Sequence, residues 1–105
     1  MNILNDLYKV LLTRKDADPQ TSYVASLYKG GAPKISAKIL EEAQETVAEA
    51  LKGDNEKLKQ ESADLLFHLA VLWAHMGISP EDIFKVLESR FGTGGHEEKA
   101  ARGKS

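Results

Sequence analysis

Apolar residues recur along most of the chain at intervals of three and four positions, which is the spacing of one face of an α-helix. Over residues 2–15 this face carries five residues, Ile3, Leu4, Leu7, Tyr8 and Leu11. No segment shows the strict alternation of apolar and polar residues that a half-buried strand would have. The pattern therefore predicts an all-α fold whose first helix spans residues 2–15.

Proline, glycine and short polar side chains mark where the later helices begin and end. The predicted helices are residues 20–29, Pro33 to about Lys52, Asp54 to Met76, and Ser79 to about Phe91. This gives about five helices, and the third and fourth are expected to form a central antiparallel hairpin. A chain of 105 residues suits one core, so residues 1–105 are predicted to form a single domain.

The fourth predicted helix is apolar on nearly every side between Ala63 and Trp73, where the sequence reads ADLLFHLAVLW. Such a helix is normally buried all round. A monomer of five short helices hardly surrounds it, so the pattern favours a homo-oligomer, first of all a dimer, that completes the helical bundle. The alternative is that this helix lies at the centre of a monomeric bundle.

Composition narrows the function classes without choosing among them. Apolar residues make up 42% and charged residues 29% of the chain, and the net charge of −2 comes without a basic block, which argues against nucleic-acid binding. With no cysteine, any metal must be held by oxygen or imidazole ligands. The longest apolar run covers only residues 69–74, and the N-terminus lacks a signal-peptide pattern. These features predict a cytoplasmic protein without a membrane segment.

Acidic residues form a stripe beside the apolar face of the third predicted helix and again on the fourth. Glu42 and Glu45 lie three positions apart, and so do Glu61 and Asp64. In an antiparallel hairpin the two edges meet, and these four carboxylates are expected to converge. Carboxylates this close need a counter-charge, and Mg²⁺ or Mn²⁺ suits oxygen ligands. The alternative is a pair of solvated acidic faces.

The same acids carry a resemblance to a known family. Glu41-Glu42-x-x-Glu45 followed by Glu61-x-x-Asp64 resembles the EExxE…ExxD signature of the all-α, MazG-type nucleotide pyrophosphatases. Within that superfamily the chain is similar over almost its full length to the phosphoribosyl-ATP pyrophosphatases, including the Arg90–Arg102 pattern of its tail. Gly94 and Phe67 depart from the more usual serine and tyrosine.

The resemblance implies Mg²⁺-dependent hydrolysis of phosphoribosyl-ATP to phosphoribosyl-AMP and pyrophosphate, the second step of histidine biosynthesis. It implies that the metal ligands are Glu42, Glu45, Glu61 and Asp64. Glu41 would not be a ligand itself and would support the four ligands by interacting with Lys34 or Lys38. A water molecule would attack directly, with a proton acceptor that is either metal-bound water or a spare carboxylate among Glu41, Glu42, Glu45, Glu61 and Asp64.

Cations and glycines near the acids and in the tail are the expected substrate contacts. This predicted set comprises Lys34, Lys38, Arg90, Gly92, Gly95, Lys99 and Arg102. Residues 92–105 are expected to form a mobile tail that covers the bound substrate. His68 is interpreted as a histidine at the edge of the core that donates a hydrogen bond, and Tyr23 or Tyr28 as a possible border of the substrate site.

Two other functions fit the same residues less well. A house-cleaning pyrophosphatase for nucleoside triphosphates would keep the fold and change the substrate. A non-catalytic acidic dimerisation module would carry the glutamates only as solvent faces, and Mg²⁺ would then leave its melting temperature unchanged.

Overall fold

The computed structural model describes residues 2–92, which are helical apart from short connections. Four helices follow one another, α1 Ile3–Thr13, α2 Tyr23–Lys52, α3 Asn55–Met76 and α4 Pro80–Phe91. Within the described residues no strand occurs, so the predicted all-α class is confirmed. Met1 and residues 93–105 lie outside the described part of the predicted single domain.

The second and third predicted helices form one bent helix, α2. Its helical geometry is broken at Gly31, whose φ of 71° and ψ of −167° lie in a region that residues with a Cβ avoid. Pro33 follows two positions later and has no N–H to continue the hydrogen-bond ladder. The interruption expected between the second and third predicted helices is therefore a kink within one helix. Residues 2–92 thus contain four helices, where about five were predicted.

The predicted capping residues stand where the helices begin and end. The Ser22 side chain accepts from the Ala25 N–H at 3.1 Å, which starts α2 three residues later than the prediction of residue 20. Asp54 caps α3, and Gly77 ends it with a φ of 75°. Ser79 and Asp82 form a reciprocal capping box on α4. The ends of these helices therefore follow from local sequence signals and do not depend on tertiary packing.

The core lies where α1 crosses the hairpin of α2 and α3, and α4 packs on α1. Its buried members are Leu11, Leu27, Ile35, Ala70, Val71 and Ala74. The Tyr28 hydroxyl donates to the Leu11 carbonyl at 2.9 Å, and Asn5 donates to the Glu81 carboxylate at 2.7 Å. These contacts tie α1 to α2 and to α4.

The part of the hairpin nearest its turn is covered on fewer sides. Between residues 43 and 67 no side chain is buried, although the stretch is rich in apolar residues. Leu51 is 85% exposed and Leu66 is 48% exposed. The sequence had predicted burial of α3 on all sides, and within this described chain that burial is incomplete. Across residues 2–92, none of the helices is both long enough and apolar enough to span a bilayer.

Candidate metal centre

Three of the four predicted metal ligands come together across the hairpin. Glu42 and Glu45 lie one turn apart on α2, and Glu61 faces them from α3. One carboxylate oxygen from each residue lies within 4.8 Å of the other two. We call Glu42, Glu45 and Glu61 the acidic group. Its geometry follows from the tight turn at Gly53, which folds the two glutamate-bearing edges onto one another.

The acidic group has buried oxygen atoms that lack hydrogen-bond partners. Glu42 is only 8% exposed, and both its Oε2 atom and that of Glu61 are buried without a partner among the described residues. An unsatisfied buried acceptor normally costs about 1–3 kcal/mol, and more if charged. A divalent cation would satisfy these oxygens, so the donor set fits a hard metal ion.

Electrostatic crowding in the acidic group is visible at Glu61. Its pKa rises from 4.5 to about 7, first because a protonated Glu61 shares its hydrogen with the Glu45 carboxylate. Burial and repulsion by Glu45 add to the rise, and Glu42 contributes a smaller part. The cation-free group therefore tends to hold a proton near neutral pH.

Asp64, the fourth predicted ligand, stands at the edge of the acidic group. Its side chain is exposed and its oxygens are outside the set that lies within 4.8 Å. It is one helical turn beyond Glu61 on α3, so it shares the same face. Its role as a ligand stays a prediction.

Glu49 continues the acidic stripe of α2 beyond the group. Its Oε1 atom is buried without a hydrogen bond, and the Lys52 ammonium lies 3.7 Å from it. Glu49 thus has a lysine ammonium beside its buried oxygen.

The two predicted lysines have different surroundings. The Lys38 ammonium lies 3.2 Å from Glu41 Oε2, and this hydrogen bond is the main reason its pKa is raised. Glu41 is therefore engaged by Lys38, one of its two expected partners. Lys34 instead donates to the Ser26 carbonyl at 3.3 Å, across the kink of α2. Lys34 thus has a structural role at the kink beside its predicted role in binding.

The tail residues are described only in part. Arg90 is exposed in the last turn of α4, and the Gly92 N–H donates to the Glu88 carbonyl at 2.9 Å. A Cβ on Gly92 would lie 2.6 Å from that carbonyl oxygen, so a residue with a side chain would not fit at this position without a shift of the backbone. The remaining predicted contacts, Gly95, Lys99 and Arg102, lie outside the described residues.

A contact between Tyr23 and His68 borders the acidic group. The Tyr23 hydroxyl lies 2.8 Å from His68 Nε2, and His68 is only 6% exposed. Burial raises the pKa of Tyr23, Lys38 opposes the rise, and nearby carboxylates, Glu42 foremost, increase it. The sequence pointed to His68 as a histidine that donates a hydrogen bond, and its Nδ1 atom lies 2.8 Å from the Asp64 carbonyl oxygen one turn back on α3. Its second partner, Tyr23, is 45 residues away and had no local signal.

Comparison with known proteins identifies the family of this chain. The model of the family described as "PRA-PH: Phosphoribosyl-ATP pyrophosphohydrolase" matches residues 4–91. The phosphoribosyl-ATP pyrophosphatase of Azospirillum brasilense is 50% identical over 100 residues, which cover 95% of this chain and 90% of the relative. That of Geobacter sulfurreducens is 48% identical over 101 residues, covering 96% and 94%. That of Hydrogenovibrio crunogenus is 49% identical over 108 residues, covering 99% and 96%. The chain belongs to the phosphoribosyl-ATP pyrophosphohydrolase family.

Proposed function

We propose that this protein hydrolyses phosphoribosyl-ATP to phosphoribosyl-AMP and pyrophosphate, the second step of histidine biosynthesis, and that it does so in the cytoplasm with Mg²⁺. The observation that carries the proposal is the acidic group with its unpartnered buried oxygens. It lies in a chain about half identical to relatives that bear this activity in their name.

The ligand set proposed for the ion is Glu42, Glu45 and Glu61, with Asp64 joining from the neighbouring turn. Mn²⁺ would substitute, because it also prefers oxygen ligands. When bound, the ion would neutralise phosphate charge and polarise the phosphorus that is attacked. The chain's own part is to hold these carboxylates together on two helices, so that the site is formed before substrate arrives.

Other residues of the site would handle the substrate and the proton. Lys38, kept at the side of the acidic group by Glu41, would contact phosphate oxygens. The acidic group offers carboxylates and no hydroxyl or thiol nucleophile, so the proposed reaction is direct attack by water. A carboxylate that is not bound to metal would take the proton of that water.

The test is a parallel assay with phosphoribosyl-ATP, ATP and dUTP, each with and without Mg²⁺, in which released pyrophosphate is measured. We expect release from phosphoribosyl-ATP only with Mg²⁺. Glu45→Gln should remove it, and Glu56→Gln, which changes an exposed glutamate paired with Lys59, should leave it intact. Faster release from ATP or dUTP would favour the house-cleaning function, and no release from any nucleotide would contradict an enzymatic role.

We also propose that residues 92–105 close over the bound substrate. The support is their content of glycines and cations next to α4, together with the family to which the chain belongs. Removing residues 93–105 keeps Gly92, which caps α4, so the helices should remain folded. The expected result is a raised KM or lost turnover with an unchanged circular dichroism spectrum, and normal kinetics would contradict the proposal.

A further inference from the structure

A line of hydrogen bonds leads from the backbone of α3 to the start of α2. His68 Nδ1 lies 2.8 Å from the Asp64 carbonyl oxygen, which can only accept. Nδ1 therefore carries the hydrogen, and in the neutral ring Nε2 accepts. The Tyr23 hydroxyl, 2.8 Å from Nε2, is consequently the donor to His68.

This arrangement leaves the Tyr23 oxygen free only as an acceptor, because its one hydrogen is committed to His68. The Tyr23 ring stacks on Phe67, with centroids 6.5 Å apart, and meets His68 edge-on. Tyr23 as a whole is 50% exposed, whereas His68 is 6% exposed. A half-exposed residue with an acceptor oxygen is thus held by a buried histidine.

The surroundings of that oxygen restrict what can bind it. Lys38 and the carboxylates of Glu41, Glu42 and Asp64 all exert their charge on the phenol, so it borders the acidic group. The Lys38 ammonium has hydrogens to donate, and one of them goes to the Glu41 carboxylate at 3.2 Å. Among the groups that a nucleotide brings, an ionised phosphate oxygen has no hydrogen to donate, whereas a sugar hydroxyl does. The base amino group also donates, but the sugar hydroxyls lie nearer to the phosphates that would bind at the acidic group.

We propose that Tyr23 binds a sugar hydroxyl of the nucleotide substrate, and that His68 is a positioning residue that fixes the Tyr23 hydroxyl for this contact. The inference rests on the proposed function and deepens it, because it names a residue that recognises the sugar and not the phosphates. It also explains a half-exposed tyrosine whose hydroxyl is tied to a buried histidine.

The first experiment compares Tyr23→Phe with Tyr8→Phe in the full-length protein, using phosphoribosyl-ATP and Mg²⁺. Each variant loses one phenol hydroxyl, but Tyr8 lies on α1 and packs against the core. Tyr23→Phe should raise KM by about three- to tenfold and change kcat less than about twofold, because one neutral hydrogen bond is lost from uniform binding. Tyr8→Phe should leave KM unchanged.

The second experiment tests the positioning role of His68. Glutamine at position 68 presents an acceptor near the place of Nε2, whereas asparagine is too short to reach Tyr23. We expect His68→Asn to raise KM as much as Tyr23→Phe does, and His68→Gln to restore it. In the Tyr23→Phe background, His68→Asn should add nothing to KM, since both changes remove the same contact.

The outcomes are distinguishable. An unchanged KM in Tyr23→Phe, while the unsubstituted protein is active, overturns this inference alone. A lower kcat at constant KM would place Tyr23 at the attacking water and also overturn it. Absence of hydrolysis by the unsubstituted protein overturns the proposed function, and this inference with it. Tyr23→Phe leaves the buried His68 Nε2 without its donor, which costs about 1–3 kcal/mol of stability, so a melting curve is measured to show that the variant is folded under the assay conditions.

Discussion

Glu61 affects the pH dependence of stability in the direction opposite to that of a carboxylate whose pKa is lowered by folding. The pKa of Glu61 is about 7 in the folded protein and 4.5 for the unperturbed side chain. Between these two values the folded protein binds more protons than the unfolded chain. The free energy of unfolding therefore falls as pH rises from 4.5 to 7, and the strain is greatest above pH 7.

The first prediction is that Glu61→Gln stabilises the metal-free protein above pH 7 and hardly at pH 4.5. At low pH Glu61 is already protonated, so a neutral amide changes little, whereas at pH 8 the amide relieves repulsion by Glu45. Turnover should fall by roughly 10²–10³, as when a group that stabilises transition-state charge is removed. Urea unfolding in EDTA at both pH values measures the stability, with Glu56→Gln as the control. An equal effect at both pH values would contradict the assignment.

The sequence predicted the convergence of the acidic side chains better than it predicted the contacts of the residues around them. Spacing of three along a helix and a tight turn were enough to bring Glu42, Glu45 and Glu61 to one place, because both are local rules. Asp64 obeys the same spacing, yet its side chain is exposed and its oxygens lie outside the set of the other three, which spacing along the helix does not determine. The pairing of Tyr23 with His68 depends on how two distant helices cross, and no local pattern encodes that crossing.

At the level of elements, the kink in α2 determines where Tyr23 lies. The two glycines and Pro33 correctly predicted a break, but they did not say whether the chain turns back or continues. It continues, and residues on both sides of the kink, Leu27 before it and Ile35 after it, are buried in the same core. The bend at Gly31 thus allows one helix to carry both Tyr23 and the acids of the hairpin.

The second prediction concerns Gly31→Ala. A Cβ there would meet Pro33 Cδ at 3.8 Å, an ordinary contact, so the penalty arises from the backbone alone. A residue with a Cβ at a φ of 71° and a ψ of −167° should cost about 1–3 kcal/mol of stability. Gly77→Ala, at a left-handed position that ends α3, should cost less, about 1 kcal/mol, because this region remains accessible to a residue with a Cβ. Urea unfolding measures the loss of stability in both variants. A loss for Gly31→Ala that is equal to or smaller than the loss for Gly77→Ala would contradict the expected backbone strain at position 31.

For the whole molecule, the exposed apolar residues of the hairpin are the feature that one chain does not explain. Leu40 is 67% exposed and Val47 is 57% exposed, and they line a groove with Ala43 and Gln44 on the outside of α2. Leu66 lines a second groove on α3. We propose a homodimer in which a second copy covers this face, because the far half of the hairpin has no buried residue of its own.

The third prediction follows from this surface. Leu40→Glu combined with Val47→Glu should shift the protein from a dimer to a monomer of 11.5 kDa in sedimentation equilibrium. Ile3→Glu changes a residue that is 72% exposed on α1, away from the hairpin, and should leave the dimer intact. A monomeric unsubstituted protein, or equal dissociation by both changes, would contradict the proposed interface.

The fourth prediction joins the site to the stability of the whole chain. An ion that binds only the folded acidic group raises the free energy of unfolding, by about 2.7 kcal/mol at a concentration one hundred times its Kd. Mg²⁺ alone should therefore raise Tm by several degrees, and more at pH 8 than at pH 6, because the proton held near Glu61 must leave first. Glu45→Gln should abolish the rise. If the substituted protein gained as much as the unsubstituted one in a thermal scan, the ion would have to bind elsewhere, and the acidic group would be no more than a crowded surface.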